Sequence, residues 1–388
     1  MDLAITGGRI FTPFQEIKDG YLLIREGRIE NRGSMEDLPP LSPGIQIIEA
    51  EGAPVIPGFI DIHTHGGRGF DVMDGTSSAL GAIDEYKRSV GITGWVGTTI
   101  TAAPEKMRKV ARSCRQYLEK KKLSGLLGLH LEGPWINPQF RGAQPPEHIR
   151  KPNPVEYKEW SNHLGLFLKV ITLAPEMEGS LDLISRVAGD GVLLAAGHTG
   201  ADYRVDRQAL EAGLSHAAHF FNGMAPFHHR EPGIIGAFLD SSTATLELIV
   251  DGVHLHPAAV RLAWKMAGAE RIVLITDSIR AAGCRDGTYE LGGHPVIVRD
   301  GEARREDGTL AGSTLEPARA LGLLREITGI GLREALFTVT VNPARCLGLE
   351  EEMGSLEPGR RGDAVILDDN YNPRLIICRG QIFRGREE

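Results

Sequence analysis

Apolar positions along the chain fall into short runs, and the spacing of those runs predicts three regions of different character. Over the first fifty residues, Leu3 to Phe11 and Tyr21 to Ile29 alternate or run apolar, with turn residues such as Lys18-Asp19-Gly20 between them. Ile45 to Ile48 reads as a third strand. From Pro57 the pattern changes: a strand rich in Ile and Phe, Phe59 to Ile62, leads through a Gly-rich loop into a helical period over Ser77 to Ser89. Strand followed by helix then recurs. Strand-like runs end near Thr98, His130, Thr172, Gly197, His219, Asp251 and Thr276, and helical patterns such as Glu105 to Lys121, Ser180 to Ala188 and Pro257 to Ala267 lie between them.

Counting the first, these are eight strand ends, and eight successive strand–helix units predict an α/β fold of the (β/α)8 TIM-like barrel type. A doubly wound sheet would bring a Gly-rich phosphate turn after its first strand; here that strand ends in His-Thr-His. After Asp277 the pattern predicts a two-strand insertion over Thr288 to Ala303 and helices over Leu315 to Ile327 and Leu332 to Val341. It then returns to strands at Asp363 to Leu367, Leu375 to Cys378 and Gln381 to Phe383. Neither terminal set is long enough for a core of its own. The expectation is a small β-sandwich domain built from both termini, 1–53 plus 356–388, beside a barrel of residues 54–355.

Composition narrows the function classes. A chain of 388 residues, 41% apolar and 24% charged, can bury a substantial core. The net charge of −8 and scattered basic residues give no nucleic-acid footprint, and Lys120-Lys121-Lys122 reads as the solvated end of a helix. No apolar stretch approaches transmembrane length, and the N-terminus lacks the charged-then-apolar pattern of a signal peptide. Four cysteines, Cys114, Cys284, Cys346 and Cys378, stand far apart with no CxxC pair, which fits reduced thiols. These features predict a cytoplasmic protein with neither a nucleic-acid nor a membrane partner.

The residues that carry chemistry stand at the strand ends, where barrel enzymes place their active sites. His63 and His65 are two apart on a strand, so their side chains share a face and can meet one ion. Glu132 ends an apolar strand and is followed by Gly133-Pro134, a poor context for a packing residue. His198 and His219 close neighbouring strands, whereas His216 is out of phase with His219 and reads as structural. Asp277 ends the last apolar strand beside His63, where a carboxylate suits a general base better than a helix cap. Imidazole and carboxylate together suit zinc, iron or another first-row divalent ion.

The motifs around these positions resemble the amidohydrolase superfamily and, within it, the N-acetylglucosamine-6-phosphate deacetylase family. The matching stretches run from PGFIDIHTHG at Pro57 to Gly66, through HLEGPW at His130 to Trp135 and Ala196-Gly197-His198-Thr199, to His219-Phe220-Phe221-Asn222-Gly223-Met224. They continue with Arg230-Glu231-Pro232-Gly233, Asp251-Gly252-Val253-His254, Thr276-Asp277-Ser278, Ala281-Ala282-Gly283, DGTLAGS at Asp307 to Ser313, and GRRGDA at Gly359 to Ala364. The resemblance covers nearly the whole chain. HLEGPW and the LAGS segment set it apart from dihydropyrimidinases and dihydroorotases, where a strand-four lysine usually bridges the metals.

The resemblance implies hydrolysis of the N-acetyl group of a 6-phosphorylated amino sugar. Glu132, His198 and His219 would hold the main divalent ion, and Asp277 would be the base and then the acid that protonates the leaving amine. His254 and Arg230 would contact the phosphate or hydroxyls, with Asn222 and Gly223 adding polar contacts and Leu310, Ala311 and Gly312 lying against the substrate. Arg230 in this family commonly reaches a neighbouring subunit's site, which implies a homodimer. Some members replace the first-strand HxH with amides and keep one metal; this chain keeps His63 and His65, which leaves room for a second ion, so one or two ions per subunit are expected, with Glu132 bridging if two bind. Twelve residues after Glu132, in Arg141-Gly142-Ala143-Gln144, this chain has Gln144 where some members place a histidine that polarises the acetyl carbonyl. A second ion would take over that role. The competing readings are another amidohydrolase, such as an N-acyl amino acid hydrolase or a deaminase, and a non-catalytic barrel module. The first would have no use for Arg230 with His254, and the second would be expected to have lost ligands that are all present here.

Overall fold

In the computed structural model, which describes residues 2–121 and 123–385, the repeating unit forms a barrel. Its eight parallel strands are Phe59–Thr64, Ile92–Thr98, Leu126–Glu132, Leu168–Leu173, Leu193–Ala196, His216–Ala217, Thr245–Leu248 and Ile272–Leu274, called barrel strands 1 to 8 below. Each pairs with its neighbour in sequence order. Both faces of most strands are buried, which is why they read as continuous apolar runs. The ring closes at its carboxyl end: the Asp277 amide donates to His63 O at 2.9 Å and the His65 amide to Ser278 O at 2.9 Å. Strands 1 and 8 therefore deliver their last residues to one place.

Most of the expected helices form, and local chemistry fixes their ends; the one expected over Leu332 to Val341 is instead broken into Leu332–Leu336, a 3-10 turn at Phe337–Val339 and a second helix Val341–Cys346. Ser77–Ser89 starts at Thr76, whose Oγ1 accepts from the Ala79 amide. Pro104–Lys120 opens on proline, which needs no N–H there; Lys122, read as part of its solvated end, lies outside the described residues. Tyr203–Ala212 is capped by Asp202 and stops at Gly213 with φ 119°. Pro257–Arg271 runs past the expected end at Ala267 but breaks at Gly268, whose φ of 67° is not helical. No helix among the described residues is long and apolar enough to cross a membrane.

Strands from both termini make one mixed eight-stranded sheet beside the barrel. The first strand, Leu3–Phe11, runs parallel to Gln46–Glu49 and Pro54–Pro57, and Ala364–Leu367 pairs antiparallel with Pro54–Pro57. The sheet packs Leu3, Ile5, Leu22, Ile24, Val55, Ile366 and Ile377 into a core separate from that of the barrel. Tyr21 to Ile29 is not one strand. Glu16–Arg25 turns back into Arg28–Ser34 through Glu26-Gly27, both left-handed at φ 52° and 77°, as a two-residue hairpin loop requires. The insertion after strand 8 likewise has three strands where two are expected: Gly287–Leu291, His294–Arg299 and Glu302–Arg304. The third is too short to show periodicity, yet it carries Arg304 to the mouth of the barrel.

Candidate active site

The site is a cavity of about 390 Å³ at the carboxyl end of the barrel, lined by His65, Glu132, His198, His219 and Asp277. This volume suits a small-molecule substrate. His198, His219 and Asp277 lie just past their strands with φ of 49°, 30° and 47°. Residues with a Cβ seldom hold such angles, and their concentration on one rim is strain of the kind that accumulates at functional sites. These turns bring all three side chains to the cavity wall.

Glu132 is the hub. Its Oε1 lies 3.1 Å from His198 Nε2 and 3.0 Å from His219 Nε2, and the two nitrogens are 3.2 Å apart. Each imidazole points its Nδ1 at a carbonyl, Phe140 O for His198 and Asn222 O for His219, both at 3.0 Å. A carbonyl can only accept, so both protons reside on Nδ1 and both Nε2 lone pairs converge with a carboxylate oxygen. Three such atoms within hydrogen-bond distance of one another are the donor set of a cation, which would displace any proton held between them.

A second convergence faces Glu132 from the other side. His65 Nε2 lies 3.4 Å from Glu132 Oε2 and 3.2 Å from Asp277 Oδ1, and His63 Nε2 lies 3.4 Å from Glu132 Oε1 and 3.7 Å from Asp277 Oδ1. His63 Nε2 is fully buried without a hydrogen-bond partner among the described residues. The ligand atoms of His63, Glu132 and His219, and those of His63, His65 and Asp277, group closely enough for one ion each. All are buried, so a metal here would be shielded from bulk water.

The electrostatics of the metal-free chain agree. Burial alone would depress His63, but Glu247 and Glu132 overcome it and hold the imidazole well above its ordinary value. Burial would raise Glu132, yet the surrounding imidazoles hold it well below the usual carboxylate range. Positive charge is favoured at this spot, whether from protons or from a metal that displaces them.

Neighbouring side chains fix the ring. Gln144 donates from Nε2 to Glu132 Oε2 at 2.7 Å while its Oε1 accepts from the Thr101 amide at 2.7 Å, so its orientation and one of its two N–H donors are committed to holding Glu132. Behind strand 1, Asp61 Oδ2 accepts from Thr276 Oγ1 at 2.6 Å and from Lys87 Nζ at 3.2 Å, and Lys87 also donates to Ser278 Oγ at 2.7 Å. This buried network locks strand 1 to strand 8. His216 sits beneath the ring with Nε2 on Glu247 and Nδ1 on Thr245, which is the structural placement expected of it.

The remaining expected residues divide. Ala143, Gln144, Asn222, Gly223, His254, Leu310 and Gly312 line the cavity, and His254 Nδ1 is held by Asp251 at 2.7 Å. Ala311 is fully buried behind the wall, its amide on Ala303 O. Arg230 is exposed, outside its own chain's cavity, and donates to His229 Nε2. Two charged residues were missed. Arg304 lines the cavity from the insertion, with Ile100, Ile249, Leu291 and Thr309 completing the wall, and no sequence signal marks it. Glu247 lies fully buried under the ring. A lone carboxylate inside the apolar strand Thr245–Leu248 was a legible signal, since such a group is costly to bury without donors.

Comparison with known proteins agrees with this geometry. The pattern of the Amidohydrolase family matches residues 55–383. The chain is 39% identical over 378 residues to the N-acetylglucosamine-6-phosphate deacetylase of Bacillus subtilis, covering 96% of this chain and 95% of that one. It is 37% identical to the N-acetylgalactosamine-6-phosphate deacetylase of Escherichia coli O157:H7, covering 96% and 97%. Among solved structures, an aspartate-to-alanine mutant of the Mycobacterium smegmatis N-acetyl-D-glucosamine-6-phosphate deacetylase, in complex with N-acetyl-D-glucosamine-6-phosphate, superposes with a TM-score of 0.91 at 32% identity, covering 98% of this chain and 99% of that one. The chain belongs to the amidohydrolase family and, within it, to the N-acetylglucosamine-6-phosphate deacetylases and their galactosamine counterparts.

Proposed function

We propose that this protein hydrolyses N-acetylglucosamine 6-phosphate to glucosamine 6-phosphate and acetate. The observation that carries the reading is the Glu132 carboxylate, with His198 and His219 on one side and His63 and His65 on the other, on the floor of a sugar-sized cavity. Glu132, His198 and His219 would hold one divalent cation, and His63, His65 and Asp277, with Glu132 between, a second. Imidazole and carboxylate donors favour a first-row ion such as zinc or iron. When bound, the metal supplies Lewis acidity, polarising the acetyl carbonyl and acidifying water.

The chain's own groups do the rest. The carboxylate of Asp277 takes a proton from the attacking water as its oxygen bonds to the acetyl carbon. It then gives that proton to the amide nitrogen as the C–N bond breaks, so the products are acetate and a free amine. Ile100, Ile249, Leu291 and Leu310 give the cavity an apolar wall. A phosphate dianion needs cations: Arg304 is the one arginine or lysine among the described residues lining this cavity, and His254 lies on the same wall. Arg230, turned away from its own cavity, would serve that of a second copy, making the working form a homodimer.

The C4 epimer is the second reading, favoured by the galactosamine enzyme among the relatives. Release of free amine from N-acetylglucosamine 6-phosphate, its galacto epimer and unphosphorylated N-acetylglucosamine tests both. The phosphorylated gluco sugar should be turned over fastest, with kcat/KM at least about a hundredfold above the unphosphorylated sugar. Equal rates with and without phosphate would remove this reading, and preference for the galacto epimer would select the second.

A further inference from the structure

Barrel strand 7 carries one ionisable side chain, Glu247, fully buried and unused by the chemistry above. Its carboxylate accepts from three donors. Oε2 takes His63 Nδ1–H at 2.8 Å and the His219 backbone N–H at 2.9 Å, and Oε1 takes His216 Nε2–H at 2.9 Å. His63 and His219 belong to different halves of the ring but depend on Glu247 unequally. The His219 imidazole is oriented by Asn222 O and leans on Glu247 only through its main chain. The His63 imidazole has no hydrogen-bond partner but Glu247 among the described residues, its Nε2 being unpaired.

We infer that Glu247 is a positioning residue that makes His63 a metal ligand. By taking the Nδ1 proton it fixes the tautomer whose Nε2 lone pair faces Glu132 and Asp277, and its negative charge strengthens that lone pair as a donor. The inference rests on the metal-site reading of the ring. It has a selective consequence: disabling Glu247 loosens the ion held by His63 and His65 and spares the ion held by Glu132, His198 and His219.

The test is titration of the metal-free protein with Zn²⁺ or Co²⁺ in competition with a chromophoric chelator, with the visible spectrum of the cobalt form followed alongside. His65→Ala, at a residue Glu247 does not touch, identifies which binding constant belongs to the first-strand pair. Glu247→Gln preserves the fit: its oxygen can serve His63 and His219 while its NH2 faces His216 in the other tautomer, leaving Nδ1–H for Thr245. The constant removed by His65→Ala should weaken ten- to a hundredfold in Glu247→Gln, with an altered cobalt spectrum. The other constant should stay within about twofold. Glu247→Leu should lose the first-strand ion outright; should it not fold, the Gln variant decides. Unchanged constants in Glu247→Gln, equal weakening of both, or a single ion indifferent to His65→Ala would overturn the inference. Sugar hydrolysis is not the readout, so failure here and failure of the substrate assignment are separate events.

Discussion

Asp277 and Glu132 are both carboxylates at strand ends, yet their surroundings give them different work. Glu132 is met by imidazole nitrogens on one oxygen and by Gln144 on the other, which leaves it no freedom to move a proton. Asp277 borders the cavity at 8% exposure, with His65 beside it, and can reach substrate. Asp277→Asn should therefore lower kcat by about 10²–10⁴-fold while metal content at the Glu132–His198–His219 end persists; turnover near wild type would remove Asp277 as the base. Arg304→Ala should raise KM for the phosphorylated sugar by about tenfold or more and leave hydrolysis of the unphosphorylated sugar unaffected. An equal effect on both sugars would detach Arg304 from the phosphate. At this scale the cluster of histidines and carboxylates was legible because imidazole and carboxylate at strand ends have few structural uses. Arg304 was not, because its role depends on where a three-residue strand lands.

At the scale of elements, the site depends on how strand ends turn. Gly312 has φ 62°, and a Cβ there would come within 2.7 Å of Asp277 O and 2.6 Å of Ile279 Cγ2. The neighbouring Ser313 amide donates to that same Asp277 carbonyl at 2.8 Å. Gly312→Ala should cost roughly 1–3 kcal/mol of stability and depress kcat more than KM, since the displaced backbone is that of the proposed base. Unchanged stability and kcat would show that the loop absorbs the methyl group elsewhere. Most helices and barrel strands were readable from periodicity to within a few residues. Strand 6 was not: it spans only His216–Ala217, and the apolar run expected to reach His219 leaves the sheet early, so that the left-handed turn can present His219 to Glu132. The hairpin at Glu26-Gly27 was missed for a similar reason, because its two arms read as one apolar stretch.

For the whole molecule, one buried group away from the site sets a pH dependence of stability. Asp206 is fully buried with both oxygens unpaired among the described residues, and burial, helped by Glu176 and Asp202, pushes its carboxyl up to about 8. In the unfolded chain the same group titrates near about 4. Between those values the folded chain holds a proton that the unfolded chain has released, so its contribution to stability falls as pH rises through that window and levels off above it. The penalty near pH 8 is on the order of a few kcal/mol. Asp206→Asn should raise the thermal midpoint at pH 8 and change it little near pH 4; an equal shift at both would assign the effect to packing.

Fold, ring and cavity converge on a metal-dependent deacetylase, and the most direct measurement is amine release from N-acetylglucosamine 6-phosphate by protein stripped of metal and then reloaded. Turnover should vanish on chelation and return on adding zinc or iron, reaching its full value as His63, His65, Glu132, His198, His219 and Asp277 fill with two ions per chain. Undiminished hydrolysis by the stripped protein would contradict a metal-dependent reaction, and full activity at one ion per chain would contradict the two-ion site.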